Sequence, residues 1–103
     1  WVENRFPAED YEPWLEFQAR VDDAMSTLLS QHPQETIAIF TSATPIAIAA
    51  GLALALTSEK VLGLAWVMYN SGVTTMKMRD RAFHLYTLNT APHLLAENLR
   101  TFR

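Results

Sequence analysis

Two hydroxyls, Ser42 and Thr44, stand where an apolar, strand-like run gives way to a helix-forming run. The first turn of a helix presents unpaired N–H groups and the positive end of its dipole, so hydroxyls there suit an anion such as phosphate. Ser42 and Thr44 are therefore the phosphate-binding candidates. The same turn argues for a weak site. Pro45 removes one backbone donor, and no His, Lys or Arg occurs between Gln34 and Ser58. Thr44 is equally well explained as a helix N-cap, with Pro45 at the first helical position. Ser42 as a hydrolase nucleophile is disfavoured, because Phe40 and Thr44 occupy the glycine places of a Gly-x-Ser-x-Gly elbow.

The three histidines do not make a second centre. His32 precedes a proline at the end of a helical stretch. His84 lies inside a strand-like run between Phe83 and Leu85, and His93 opens the last helical stretch. No two of them have the i, i+4 spacing of a helical metal pair. Cysteine is absent, which removes thiolate ligands and disulfides. Hydrogen-bonding or surface roles are expected for all three, and the sequence assigns no catalytic residue, no metal and no cofactor. Trp14, Trp66, Met68 and Tyr69 read as packing groups, since basic residues are not interleaved with them as in a base-stacking platform. A net charge of -3 gives no reason to expect nucleic acid or an anionic membrane as partner. The lack of cysteine fits a cytoplasmic setting.

The elements that must hold these residues follow from periodicity. With 103 residues the chain, 1–103, has room for a single domain. Residues 1–10 read as an irregular lead-in. From Glu12 to Gln31 the apolar Trp14, Phe17, Val21, Met25 and Leu28 recur at helical steps, the stripe of an amphipathic helix. Pro13 suits its first turn, and Pro33 ends it. Residues 36–41, Thr-Ile-Ala-Ile-Phe-Thr, form an apolar run without alternation, as in a strand covered on both faces. The run from Ala47 to Leu56 predicts a helix buried on most sides, and Ser58 caps a shorter helix to about Ala65. Val73 to Met78 and Ala82 to Leu88 predict a hairpin through Arg79-Asp80-Arg81, and His93 to Phe102 a final helix. The order is an α/β pattern with a mixed sheet. Residues 36–58 carry no charge and are long enough to cross a bilayer. Thr41, Ser42, Thr44 and Pro45 interrupt them, so strand, turn and helix are expected instead of a membrane span.

Three blocks in this order resemble the histidine phosphatase (phosphoglycerate-mutase-like) superfamily. Glu12-Pro-Trp-Leu-Glu-Phe-Gln-Ala-Arg-Val21 is similar to the family's Gly-Glu-Ser helix with its downstream Phe and Arg-Val. Glu35-Thr-Ile-Ala-Ile-Phe-Thr-Ser-Ala-Thr-Pro-Ile46 resembles the strand and turn that carry the second catalytic His. Asn70-Ser-Gly-Val-Thr74 and Asn89-Thr-Ala-Pro-His-Leu94 resemble the Asn-Ala-Ser-Val strand and the closing Asn-Asp-x-x-His-Leu signature.

The resemblance implies the C-terminal part of a three-layer α/β/α phosphoglycerate-mutase-like fold, lacking the N-terminal nucleophile strand. It also implies a phosphorylated small molecule as substrate of the complete domain. Two departures imply that this chain alone is inactive. The Arg-His-Gly nucleophile motif is absent, and Ala43 stands where the second His follows the serine matched by Ser42. Thr41-Ser-Ala-Thr-Pro45 is most similar to a Thr-Ser-Gly-Gly-Pro variant, as in a divergent subfamily. The chain opens on Trp1 without a Met, so the expectation is a piece of a longer protein. Its expected partner is the missing N-terminal half; self-association or re-pairing of its own strands are the other ways to cover the bare flank of strand 36–41. A scaffold kept for binding or assembly, without catalysis, is the alternative.

Overall fold

The computed structural model describes residues 1–3 and 10–102. Most of the expected lead-in lies outside the described residues. Helix α1 spans Trp14–Gln31 and Pro13 is its N-cap residue, so the missing proline N–H is one that no helix pairs. The apolar stripe orients α1 as predicted. Trp14 is fully buried, Phe17 and Val21 pack against the core, and Met25 and Leu28 are half-buried. His32 ends the helix, with its N–H on the Leu28 carbonyl and its Nδ1 3.1 Å from a Glu35 carboxylate oxygen.

Helices α2 (Ala43–Leu54) and α3 (Ser58–Trp66) supply the rest of the core, where Ala47, Ile48, Val61, Ala65 and Met68 surround Trp14. Their close approach depends on Gly51, because a Cβ there would collide with the Val61 side chain. Ala55 closes α2 in the left-handed region at φ 53°, and the Leu56 N–H bonds the Gly51 carbonyl at 2.9 Å. Thr57, one residue before the expected Ser58, is the N-cap residue of α3.

Strands β1 (Val73–Arg79) and β2 (Ala82–Thr90) form the expected hairpin and pair antiparallel. Asp80 and Arg81 both take positive φ, 53° and 62°, the mirror-image turn whose twist matches the strands. The register sets Lys77 opposite His84 and Arg79 opposite Ala82, with irregularities on either side of Thr75. At the open end Asn89 clamps the hairpin to the helices. Its Oδ1 accepts from the Tyr69 N–H at 2.7 Å, and its Nδ2 donates to the Val67 carbonyl at 2.8 Å.

Two expected elements do not form. Residues 36–41 are not a strand: among the described residues no backbone hydrogen bond pairs them, and Ile37, Ile39 and Phe40 are exposed, Phe40 to 97 %. A strand needs a neighbour for its N–H and C=O groups, and the hairpin satisfies only itself. The sheet is therefore two-stranded and antiparallel rather than mixed, within an architecture that is α/β and a partial version of the expected fold. The final helix is reduced to a single 3-10 turn, Glu97–Leu99. Tertiary bonds draw the tail elsewhere. The Asn70 backbone N–H donates to the Thr101 carbonyl at 2.8 Å, and its side-chain amide reaches Thr101 Oγ1 and the Phe102 carbonyl. The Phe102 ring lies 4.9 Å from that of Tyr69. A helix would withdraw those groups, and context overrides its propensity. Among the described residues no helix is long and apolar enough to cross a membrane.

Candidate functional site

The N-terminus of α2 opens onto a cleft of about 470 Å³. Ser42 is the N-cap residue, with extended φ −90° and ψ 173°. Thr44 is thus the second helical residue and Pro45 the third, so the capping expected of Thr44 falls to Ser42. The Ser42 carbonyl accepts the first helical bond, from the Ile46 N–H at 3.5 Å, and Pro45 still sits where no helical N–H is paired. The Ser42 hydroxyl makes no capping bond. Both Ser42 and Thr44 line the cleft, although Thr44 is only 6 % exposed.

Aromatic rings make much of the remaining wall, with Trp1, Tyr11 and Trp66 around the opening. Trp1 is fixed by its Nε1–H, which donates to the Glu12 carbonyl at 2.9 Å, and by edge contact with Trp14 at 5.0 Å. Glu12 is the one residue with a charged side chain among the described residues of the lining. Arg20 grips it through a two-bond fork of 2.8 and 2.7 Å. Those hydrogen bonds hold the Glu12 carboxyl below its ordinary range and push the Arg20 guanidinium up. Arg20 also lies over the Phe17 ring, 5.1 Å from its centroid.

The chemistry open to this cleft is narrow. A helix N-terminus and the Ser42 hydroxyl suit an anion, yet no Lys, Arg or His of the described residues lines the wall to neutralise one. Phosphoryl transfer through a phosphohistidine needs a nucleophilic imidazole, a cationic cradle and a proton donor for the leaving oxygen. The three histidines lie elsewhere. His32 is at the end of α1, His84 is on the exposed face of β2, and His93 occupies a turn with Nε2 3.3 Å from Ser71 Oγ. His93 thus has a hydrogen-bonding role, but the terminal helix it was expected to open is not there. Among the described residues no group of three His, Asp or Glu gathers as a metal site.

The sequence marks Asn70 and Asn89 only as parts of family-like blocks, and their roles in tying the tail and the hairpin to the residues after α3 were missed. The signal was present for Asn89: a polar residue at the end of an apolar run, of a type that tolerates the left-handed region, where it sits at φ 54°. The sequence model of the histidine phosphatase superfamily (branch 1) matches residues 1–91. Neither the comparison with curated proteins nor that with solved structures gave a match.

Proposed function

The chain belongs to the histidine phosphatase superfamily, and from that membership we propose that it carries the C-terminal scaffold of a domain acting on phosphate esters, without itself completing the catalytic centre. The α2 cleft supports this most directly. Ser42 and Thr44 stand at a helix start suited to a phosphate, Ala43 occupies the place matched to the family's second His, and among the described residues no Lys, Arg or His lines the wall. Hydrolysis or transfer then needs a nucleophile strand from outside these residues. Residues 36–41 fit the same reading, because their exposed Ile37, Ile39 and Phe40 form the flank such a strand would cover. The partner is the N-terminal half of the domain, with a second copy of this chain as its substitute. The ligand of the complete domain is a phosphorylated small molecule, and neither nucleic acid nor a membrane is required. The absence of cysteine supports a cytoplasmic setting.

A binding or assembly role without catalysis is the second reading, favoured by the nearly complete exposure of Phe40. Hydrolysis of p-nitrophenyl phosphate separates the two. The chain alone should give no turnover. Turnover restored by an added polypeptide carrying an Arg-His-Gly strand supports the first reading, and none from a complete parent chain supports the second. Activity of the isolated chain that co-elutes with it through successive columns would falsify both.

A further inference from the structure

Three of the chain's eight Lys and Arg residues, Lys77, Arg79 and Arg81, lie at the closed end of the hairpin, against one acid, Asp80. This is a local excess of positive charge in a chain of net charge -3. The register places Lys77 directly opposite His84, and Arg79 follows Lys77 on the same exposed face. Lys77 is held in place, its Nζ 3.9 Å from the centroid of the Tyr86 ring. Among the described residues no carboxylate pairs with Lys77, Arg79, Arg81 or His84. Lys77 and Arg79 set two cations two residues apart on one strand face, with the His84 imidazole across from them.

An open cleft of about 300 Å³ on this part of the hairpin is lined by Lys77, Met78, Arg79 and His84. None of the four lines the α2 cleft. The volume is at the small end of ligand-binding clefts. The residues around it carry an ammonium, a planar guanidinium fork and an imidazole, a set that matches a tetrahedral oxyanion. We propose that this face of the hairpin is a binding site for a phosphate-class dianion, separate from the α2 cleft and independent of whether that cleft is catalytic. The anion bridges the Lys77 and Arg79 cations, with the His84 imidazole across from them as a further hydrogen-bonding group.

The test is a titration of the chain with inorganic phosphate, followed by amide NMR, against sodium chloride at matched ionic strength. Saturable shifts centred on residues 77–84 are expected with phosphate and not with chloride. The double variant Lys77→Gln, Arg79→Gln should weaken binding about tenfold or more, since two charge-assisted bonds are lost. Both side chains are exposed, so the variant should fold; an unchanged melting temperature in the absence of phosphate checks this. Lys77→Arg, which keeps the charge, should retain most of the affinity. Vesicles of phosphatidylcholine with and without phosphatidic acid identify the source: shifts produced only by the acidic vesicles assign the phosphate to a lipid headgroup. Shifts equal to those of chloride, shifts unaltered in the double variant, or shifts centred on Ser42 and Thr44 overturn the proposal.

Discussion

The hairpin of β1 and β2 and the segment 36–41 carry similar apolar and β-branched side chains but treat their backbone groups in opposite ways. The hairpin pairs its N–H and C=O groups internally and rests its inner face on α2. The segment leaves its groups unpaired among the described residues and exposes Phe40 almost completely. What differs is the distance to a partner. The hairpin's partner lies across the two residues Asp80 and Arg81, so the entropy of closing that loop is small. The segment pairs with no neighbour among the described residues, and composition alone does not make a strand.

The largest expected effect breaks the anchoring of the hairpin. Asn89→Ala removes the acceptor of the Tyr69 N–H, which is left in a partly buried place, and the donor to the more exposed Val67 carbonyl. It also sets alanine at φ 54°, a conformation that asparagine tolerates better. A loss of about 2–4 kcal/mol is expected in urea unfolding. A loss below about 0.5 kcal/mol would show that the hairpin stands on its own pairing and needs no clamp.

Arg81→Gly probes the same hairpin from its closed end and should stabilise it. Arginine at φ 62° occupies a position that glycine adopts without steric cost, so a gain of up to about 1 kcal/mol is expected. A neutral result would mean that the Asp80-Arg81 turn contributes nothing to the contrast with 36–41.

The same contrast explains what was legible in the sequence. Helix α1 was readable from the spacing of Trp14, Phe17, Val21, Met25 and Leu28, and the hairpin from two short runs with a polar turn between them. These are local signals, and short-range hydrogen bonds enforce them. Residues 36–41 misled because an apolar run reports only a wish to be buried, while pairing depends on another strand. The final helix failed because Asn70 and Tyr69, far from it in sequence, hold the tail. At the candidate site, Ser42 and Thr44 were legible as residues of a helix start, although the strand expected before them does not form. The aromatic wall was not, since Trp1 and Trp66 meet only through the tertiary fold.

The head of α1, beside the cleft, gives a smaller effect that depends on pH. The Glu12 carboxyl is lowered by its hydrogen bonds to Arg20. Its contribution to stability is therefore full above the ordinary carboxylate range and disappears as pH falls through the lowered folded value. Glu12→Gln should lower the urea midpoint slightly at neutral pH and not at all in acid, so that the two pH profiles converge. Parallel profiles would mean that this exposed pair, like many of its kind, contributes nothing measurable.

The smallest expected change in stability comes from the segment that did not pair. Phe40→Ser removes a large apolar side chain, yet one already 97 % exposed, and should shift unfolding by less than about 0.5 kcal/mol. The corresponding change of a buried residue such as Ile48 would cost several times more, about 2–5 kcal/mol. If the chain associates through 36–41, Phe40 is covered in the assembly. Its replacement then costs stability in proportion to how far assembly has proceeded, and the cost grows with protein concentration. Urea midpoints of both proteins at a low and a high concentration separate the cases. Midpoints that coincide at both concentrations leave Phe40 in solvent and remove self-association through this segment. A gap that opens only at the higher concentration places a second copy on it.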